Sequence, residues 1–141
     1  MPPIHALIVH LPLAFALFTP LVCLLGLSTK RWVWVILWLF CFLALAYAAM
    51  ATGNVDADIV RPHSGEAAIT AHEDAATSLF NLLLALFALA FASAGEGKWR
   101  HMGRVACLVV SCAILGLAVY TAHLGGKLVY EHNAPEAHRK R

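Results

Sequence analysis

The run Leu82-Leu83-Leu84-Ala85-Leu86-Phe87 lies inside Ala75–Gly95, a stretch with no Asp, Glu, Lys or Arg. A barrel strand in a membrane alternates apolar and polar residues along about ten positions. This run does not alternate, and it is embedded in about the 20 apolar residues that a spanning helix needs. Three further stretches have the same character: Met1–Thr29, Trp32–Val55 and Val105–Gly126. Together they fill most of the 141 residues, of which 61% are apolar and 13% charged, with a mean hydropathy of +0.75. Soluble domains sit near half apolar and about a quarter charged. Too little polar surface exists here to cover a water-soluble globule, and the composition is the opposite of a disordered chain. The formal net charge of +2 gives no electrostatic footprint for nucleic acid.

The expected fold is therefore an all-α membrane protein, four transmembrane helices in an up-down bundle, forming one domain. The helices are expected at about 5–28, 32–53, 71–94 and 103–124, with a polar loop 54–70 and a polar C-terminal tail 131–141. The first stretch lacks a basic leader and is read as a helix. Pro12 and Pro20 lie inside it, each removing one backbone hydrogen bond, which predicts a kink. Gly53 reads as the C-cap of the second helix. Thr70 and Glu73 read as a capping box that opens the third.

Basic residues in the short loops set the expected orientation. Lys30 and Arg31 follow the first helix, and Lys98, Arg100 and Arg104 follow the third, whereas the long loop holds only Arg61. Both short loops are expected in the cytoplasm, with both termini and the long loop in the periplasm. The basic tail residues Lys127, Arg139, Lys140 and Arg141 pull the other way. Cys23, Cys41, Cys107 and Cys112 have no zinc-type spacing and read as packing residues.

Polar chemistry collects at one end. His5, His10, His63, His72, His123, His132 and His138 share the face opposite His101. His10, His72 and His123 stand within about a turn of the apolar boundary on three different helices. Ionisable residues at such depth are costly and usually meet a partner or face a bundle interior. Two facing imidazoles in an apolar cleft would suit a b-type haem, with Phe15, Phe18, Leu79 and Phe80 available as lining. Three imidazoles with Glu73 or Asp56 would suit a zinc, copper or iron ion.

The ordered motifs resemble a known family. Ile4-His5 through Val9-His10-Leu11-Pro12 resembles the "HPxxVHFP" opening of the domain-of-unknown-function 2231 family of bacterial membrane proteins. Thr52-Gly53 with Asp56 resembles its "TGxxD" segment, His72 stands where the family has a histidine opening helix three, and Gly125-Gly126-Lys127-Leu128-Val129-Tyr130 resembles its "GGxLVY" signature. Leu11 replaces the usual aromatic, and Asn133 stands where a glycine often follows the tyrosine. The resemblance implies a four-helix domain of the bacterial inner membrane. Some relatives carry it beside Rieske iron–sulfur or cytochrome c domains, which implies respiratory electron transfer.

Four functions follow as expectations. The first is a haem b subunit with ligands among His10, His72 and His123, passing electrons from quinone to a periplasmic cytochrome or Rieske protein. The second is a non-haem metal site built from His10, His72, His123, Glu73 and Asp56. The third is a structural or assembly subunit of a respiratory complex, or a homo-oligomer, held in the lipid bilayer. The fourth is proton relay or transport, for which four helices with no charged residue in mid-membrane give a poor path. No serine or cysteine lies beside His10, His72 or His123, so a hydrolytic triad is not expected. An electron-transfer or accessory subunit is expected rather than a stand-alone enzyme.

Overall fold

The computed structural model describes residues 8–28, 31–64, 66–97 and 99–130. Among them lie four helices and no strand: α1 His10–Ser28, α2 Val33–Ser64, α3 Glu66–Ala92 and α4 Trp99–Tyr130. Each is long and apolar enough to cross a membrane. Successive helices pack on one another, and α4 closes back onto α1, so the four make an up-down ring. An even number of crossings puts the start of α1 and the end of α4 at the same end.

The inner seam follows from helical spacing. Ala16, Thr19, Cys23 and Gly26 recur every three or four residues on α1, as do Cys107, Ser111, Ile114, Ala118 and Thr121 on α4, and all are buried. They meet Leu39 and Phe42 of α2 and Leu83 and Leu86 of α3 in one core. Small residues on the seam let the backbones approach, the usual basis of helix association in lipid. Leu17, Leu24, Trp34, Phe40, Leu84, Phe91 and Val109 face outward, as a lipid-solvated surface requires.

Hydroxyls on the seam turn back on their own helices. Thr19, Thr52, Ser93 and Thr121 each donate to a carbonyl four residues earlier, and no buried side-chain nitrogen or oxygen among the described residues lacks a partner. Thr19 also accepts from Trp38 Nε1 at 3.0 Å. α1 runs through Pro20 without a break in its helical assignment.

The helix limits differ from those read off hydropathy. The expected loop 54–70 is helical except at residue 65, which lies outside the described residues. Gly53 is mid-helix rather than a C-cap, and Thr70 and Glu73 lie inside α3 rather than opening it; Glu66 occupies the first turn instead. At the other loop, α3 stops at Ala92 and α4 starts at Trp99, four residues before the expected start. α4 also continues through Gly125 and Gly126 to Tyr130, past the expected end at 124. The physical reason is common to both overruns. Hydropathy marks where a helix leaves lipid, whereas the helix itself continues as long as a neighbour packs on it. At 32 residues each, α2 and α4 span about 48 Å against a hydrocarbon core of about 30 Å. The expected tail 131–141, with His132 and His138, and the expected start of the first helix at 5–7 with His5, lie outside the described residues.

Candidate functional site

The overrunning ends of α2, α3 and α4 form a polar cap with its own small core. Val60 and Ile69 are buried in it, with Ala57 and Leu128 packed against them. Two ties hold the three helices together. On one side, Arg61 of α2 reaches α3: its Nη2 donates to both Glu73 carboxylate oxygens, at 3.1 and 3.4 Å, and its Nη1 to Glu66 Oε1 at 3.5 Å. On the other, His72 of α3 meets the backbone carbonyl of Thr121 on α4 through Nδ1 at 3.1 Å. A carbonyl only accepts, so Nδ1 carries the proton and donates, which leaves the lone pair of a neutral ring on Nε2.

Gly125 explains how the imidazole fits there. A Cβ at Gly125 would stand 3.2 Å from His72 Cε1, tighter than most real contacts, and 3.6 Å from Nδ1, an ordinary contact. Gly126 has open space at the same point. The first glycine of the Gly125-Gly126 pair is the seat of His72, and the second is not used in that way. His72 and Glu73, adjacent on one turn, thus point to different neighbours, one to α4 and the other to α2.

The remaining sequence candidates lie elsewhere at this end. Cys23 of α1 lies beside Ser111 of α4 on the buried seam, which sets the antiparallel register of the two helices. His10 lies 13 residues before Cys23 and His123 lies 12 after Ser111, so they stand level to within about one helical rise. Both are exposed on the outside of the bundle. Asp56 is half-buried on α2 and has no hydrogen-bond or ion-pair partner among the described residues. Tyr130 is exposed at the end of α4. The side chain of His63 lies outside the described residues.

These positions bear on the two cofactors. Among the described residues no group of three or more His, Cys, Asp and Glu is placed to hold a metal ion. His10 and His123 face away from the seam, and the Glu73 carboxylate is engaged by Arg61. The proposed haem lining is equally dispersed. Phe15 stacks on Trp38 with centroids 4.3 Å apart and lies 5.9 Å from Phe42, while Phe18 is exposed. Leu79 and Phe80 pack against the filled core. Among the described residues, His10, His72 and His123 do not face one another across a common space between α1 and α3, as an internal bis-imidazole haem would require of them.

Arg61, Thr121 and the role of Gly125 were not legible as site residues. Glu66 and Glu73 are seven apart and share a helical face, which was the available signal for Arg61. It is hidden when 54–70 reads as a loop. A backbone acceptor such as Thr121 leaves no mark on composition at all.

A helical ring with four apolar spans and one polar, cross-tied end defines an integral membrane protein of the four-helix class. Over residues 1–137 the chain matches the family described as "predicted membrane protein (DUF2231)", and it belongs to that family. Comparison with curated proteins and with solved structures finds no match.

Proposed function

We propose that this chain is an accessory subunit of a membrane complex, anchored by its four helices and docking a partner protein through the end that carries His72. The observation behind this reading is the cross-tied cap. Arg61–Glu73 and His72–Thr121 join three helices into a pre-formed surface beyond the lipid-depth core, and pre-organisation is what a docking face gains from such ties. Exposed His123, Lys127 and Tyr130 lie on its α4 edge. The basic residues Arg31, Arg100 and Arg104 at the opposite end favour a periplasmic cap in a bacterial inner membrane. The redox partner, a quinone-linked cytochrome or Rieske protein, is supported by the family resemblance alone.

One observation favours a second reading, the haem b or metal-linked electron-transfer subunit. The Nδ1–H of His72 held by a carbonyl is the second-shell arrangement that orients a ligating imidazole through Nε2. In that reading His72 would be one ligand, and the other would come from outside the described histidines His10 and His123, which face elsewhere. A bound haem would supply one-electron transfer.

The test is purification from native membranes in mild detergent, followed by an oxidised and dithionite-reduced spectrum, metal analysis and native mass. The accessory reading expects substoichiometric haem and metal and a native mass well above one chain. Stoichiometric haem or metal lost in His72→Ala would replace it with the second reading. A monomer with neither would overturn both.

A further inference from the structure

At the opposite end of the molecule a cavity of about 400 Å³ lies on the outer side of the α3–α4 turn. It exists because small residues leave a gap. Ala92, Gly95, Gly97, Gly103 and Ala106 all line it. Gly103 is held small by contact: a Cβ there would fall on Ser93 Oγ. Gly97 has φ +133°, a backbone conformation that side-chain-bearing residues rarely adopt. The deeper wall is apolar, formed by Leu89, Met102 and Ala106, and the mouth carries Arg100, Glu96 and Trp99. The cavity opens outward, since Ala92, Trp99, Arg100 and Met102 are all exposed.

Its depth identifies the environment. Trp34 and Trp99 are exposed at this end, where indoles mark the headgroup level of a bilayer. The apolar wall continues from that level toward the membrane centre. Neither Arg100 nor Glu96 has an ion-pair partner among the described residues, and Arg104 is buried close by and adds positive charge. A groove with a guanidinium at the headgroup level and apolar walls below matches a single amphiphile charged at one end.

We propose that this groove is a binding site for an anionic phospholipid. Arg100 receives the phosphodiester, Trp99 packs at the glycerol level, and one acyl chain lies along Leu89, Met102 and Ala106. Glu96 at the lip opposes a second negative charge, so a phosphodiester with one charge is preferred over a dianionic phosphomonoester. A free anion lacks the part that would occupy the apolar wall.

The test is native mass spectrometry of the detergent-purified chain titrated with phosphatidylglycerol or phosphatidylcholine of matched acyl chains. One phosphatidylglycerol should be retained about fivefold more tightly, the effect of one basic side chain near the headgroups. Arg100→Gln should abolish that preference, Glu96→Gln should increase it, and Lys127→Gln at the far end should leave it unchanged. Ala92→Phe, at an exposed position on the wall, should weaken retention of both lipids by filling the groove. Glycerol 3-phosphate in excess should leave the lipid adduct in place. Equal retention of the two lipids, an unchanged preference in Arg100→Gln, or displacement by glycerol 3-phosphate would each overturn the proposal.

Discussion

The two ends of the bundle use one device with opposite consequences. At the α3–α4 turn, Trp32 Nε1 donates to Ala90 O at 2.8 Å, Arg104 Nε donates to Ser93 O at 3.3 Å, and Gly103 makes room against Ser93. At the cap, His72 Nδ1 donates to Thr121 O, and Gly125 makes room against His72. In each case a side chain satisfies a backbone carbonyl of a neighbouring segment, with a glycine packed close by. The difference is exposure. Arg104 is only 7% exposed and lies under the Trp32 ring, 4.5 Å from its centroid. The Arg61 and Glu73 side chains keep 36% and 35% of their surface. A buried cation with two partners locks one packing arrangement, since removing either partner leaves charge in a dry place. A half-exposed pair contributes little energy and remains available to a partner. The first end is a structural clasp, and the second is the end on which function is proposed.

Breaking the clasp should have the largest effect. Gly103→Leu should destabilise the bundle by about 3 kcal/mol, because a Cβ at 103 falls on Ser93 Oγ and stands 3.2 Å from Ser93 Cβ, so the larger side chain must displace Ser93. Thermal unfolding in detergent measures it, and a Tm unchanged from wild type would remove the close-approach account. Arg104→Lys should cost about 1–2 kcal/mol even though charge is kept, since a lysine loses the planar stack on Trp32 and the directed bond to Ser93. If lysine restores wild-type stability, the clasp is only a charge.

The cap should answer more quietly. Gly125→Ala should push the imidazole from the Thr121 carbonyl, and the loss of about 1 kcal/mol for that bond should be largely offset by alanine's better helix propensity, so Tm should change little. Its distinguishing readout is the ¹⁵N spectrum of His72, in which the Nδ1–H tautomer should lose dominance while the α3–α4 turn signals stay fixed. A double-mutant cycle of Arg61→Ala and Glu73→Ala should give a coupling of only about 0.5 kcal/mol, falling with salt, because the pair is more than a third exposed. A coupling several times larger would make the cap a second clasp. His123→Ala should change stability by less than about 0.5 kcal/mol, being exposed on the outer surface.

Most of the fold was legible in the chain, and the site only in part. Ala75–Gly95 and its three counterparts announce spanning helices, because lipid imposes length and apolarity that composition cannot hide. His72 was legible as a candidate because a histidine stands out beside an apolar run. Its partner was not, since Thr121 acts through a carbonyl that every residue has. The segment 54–70 misled for a related reason. Asn54, Asp56, Asp58 and Arg61 read as loop by polarity, yet they are helical because Val60 and Ile69 find each other and Leu128 beside them.

The sequence by itself determined the solvent. Four charge-free apolar stretches admit only a helical membrane protein, since backbone groups in lipid must bond within their own segment. The ordered motifs placed the chain in its family. Only the tertiary structure decided which polar groups meet. It carried α2 and α4 past the membrane, aimed His72 and Glu73 at different helices, turned His10 and His123 outward, and buried Arg104 under Trp32. Those choices depend on the rotation and register of packed helices, which are set by contacts between residues far apart in the chain and leave no local trace.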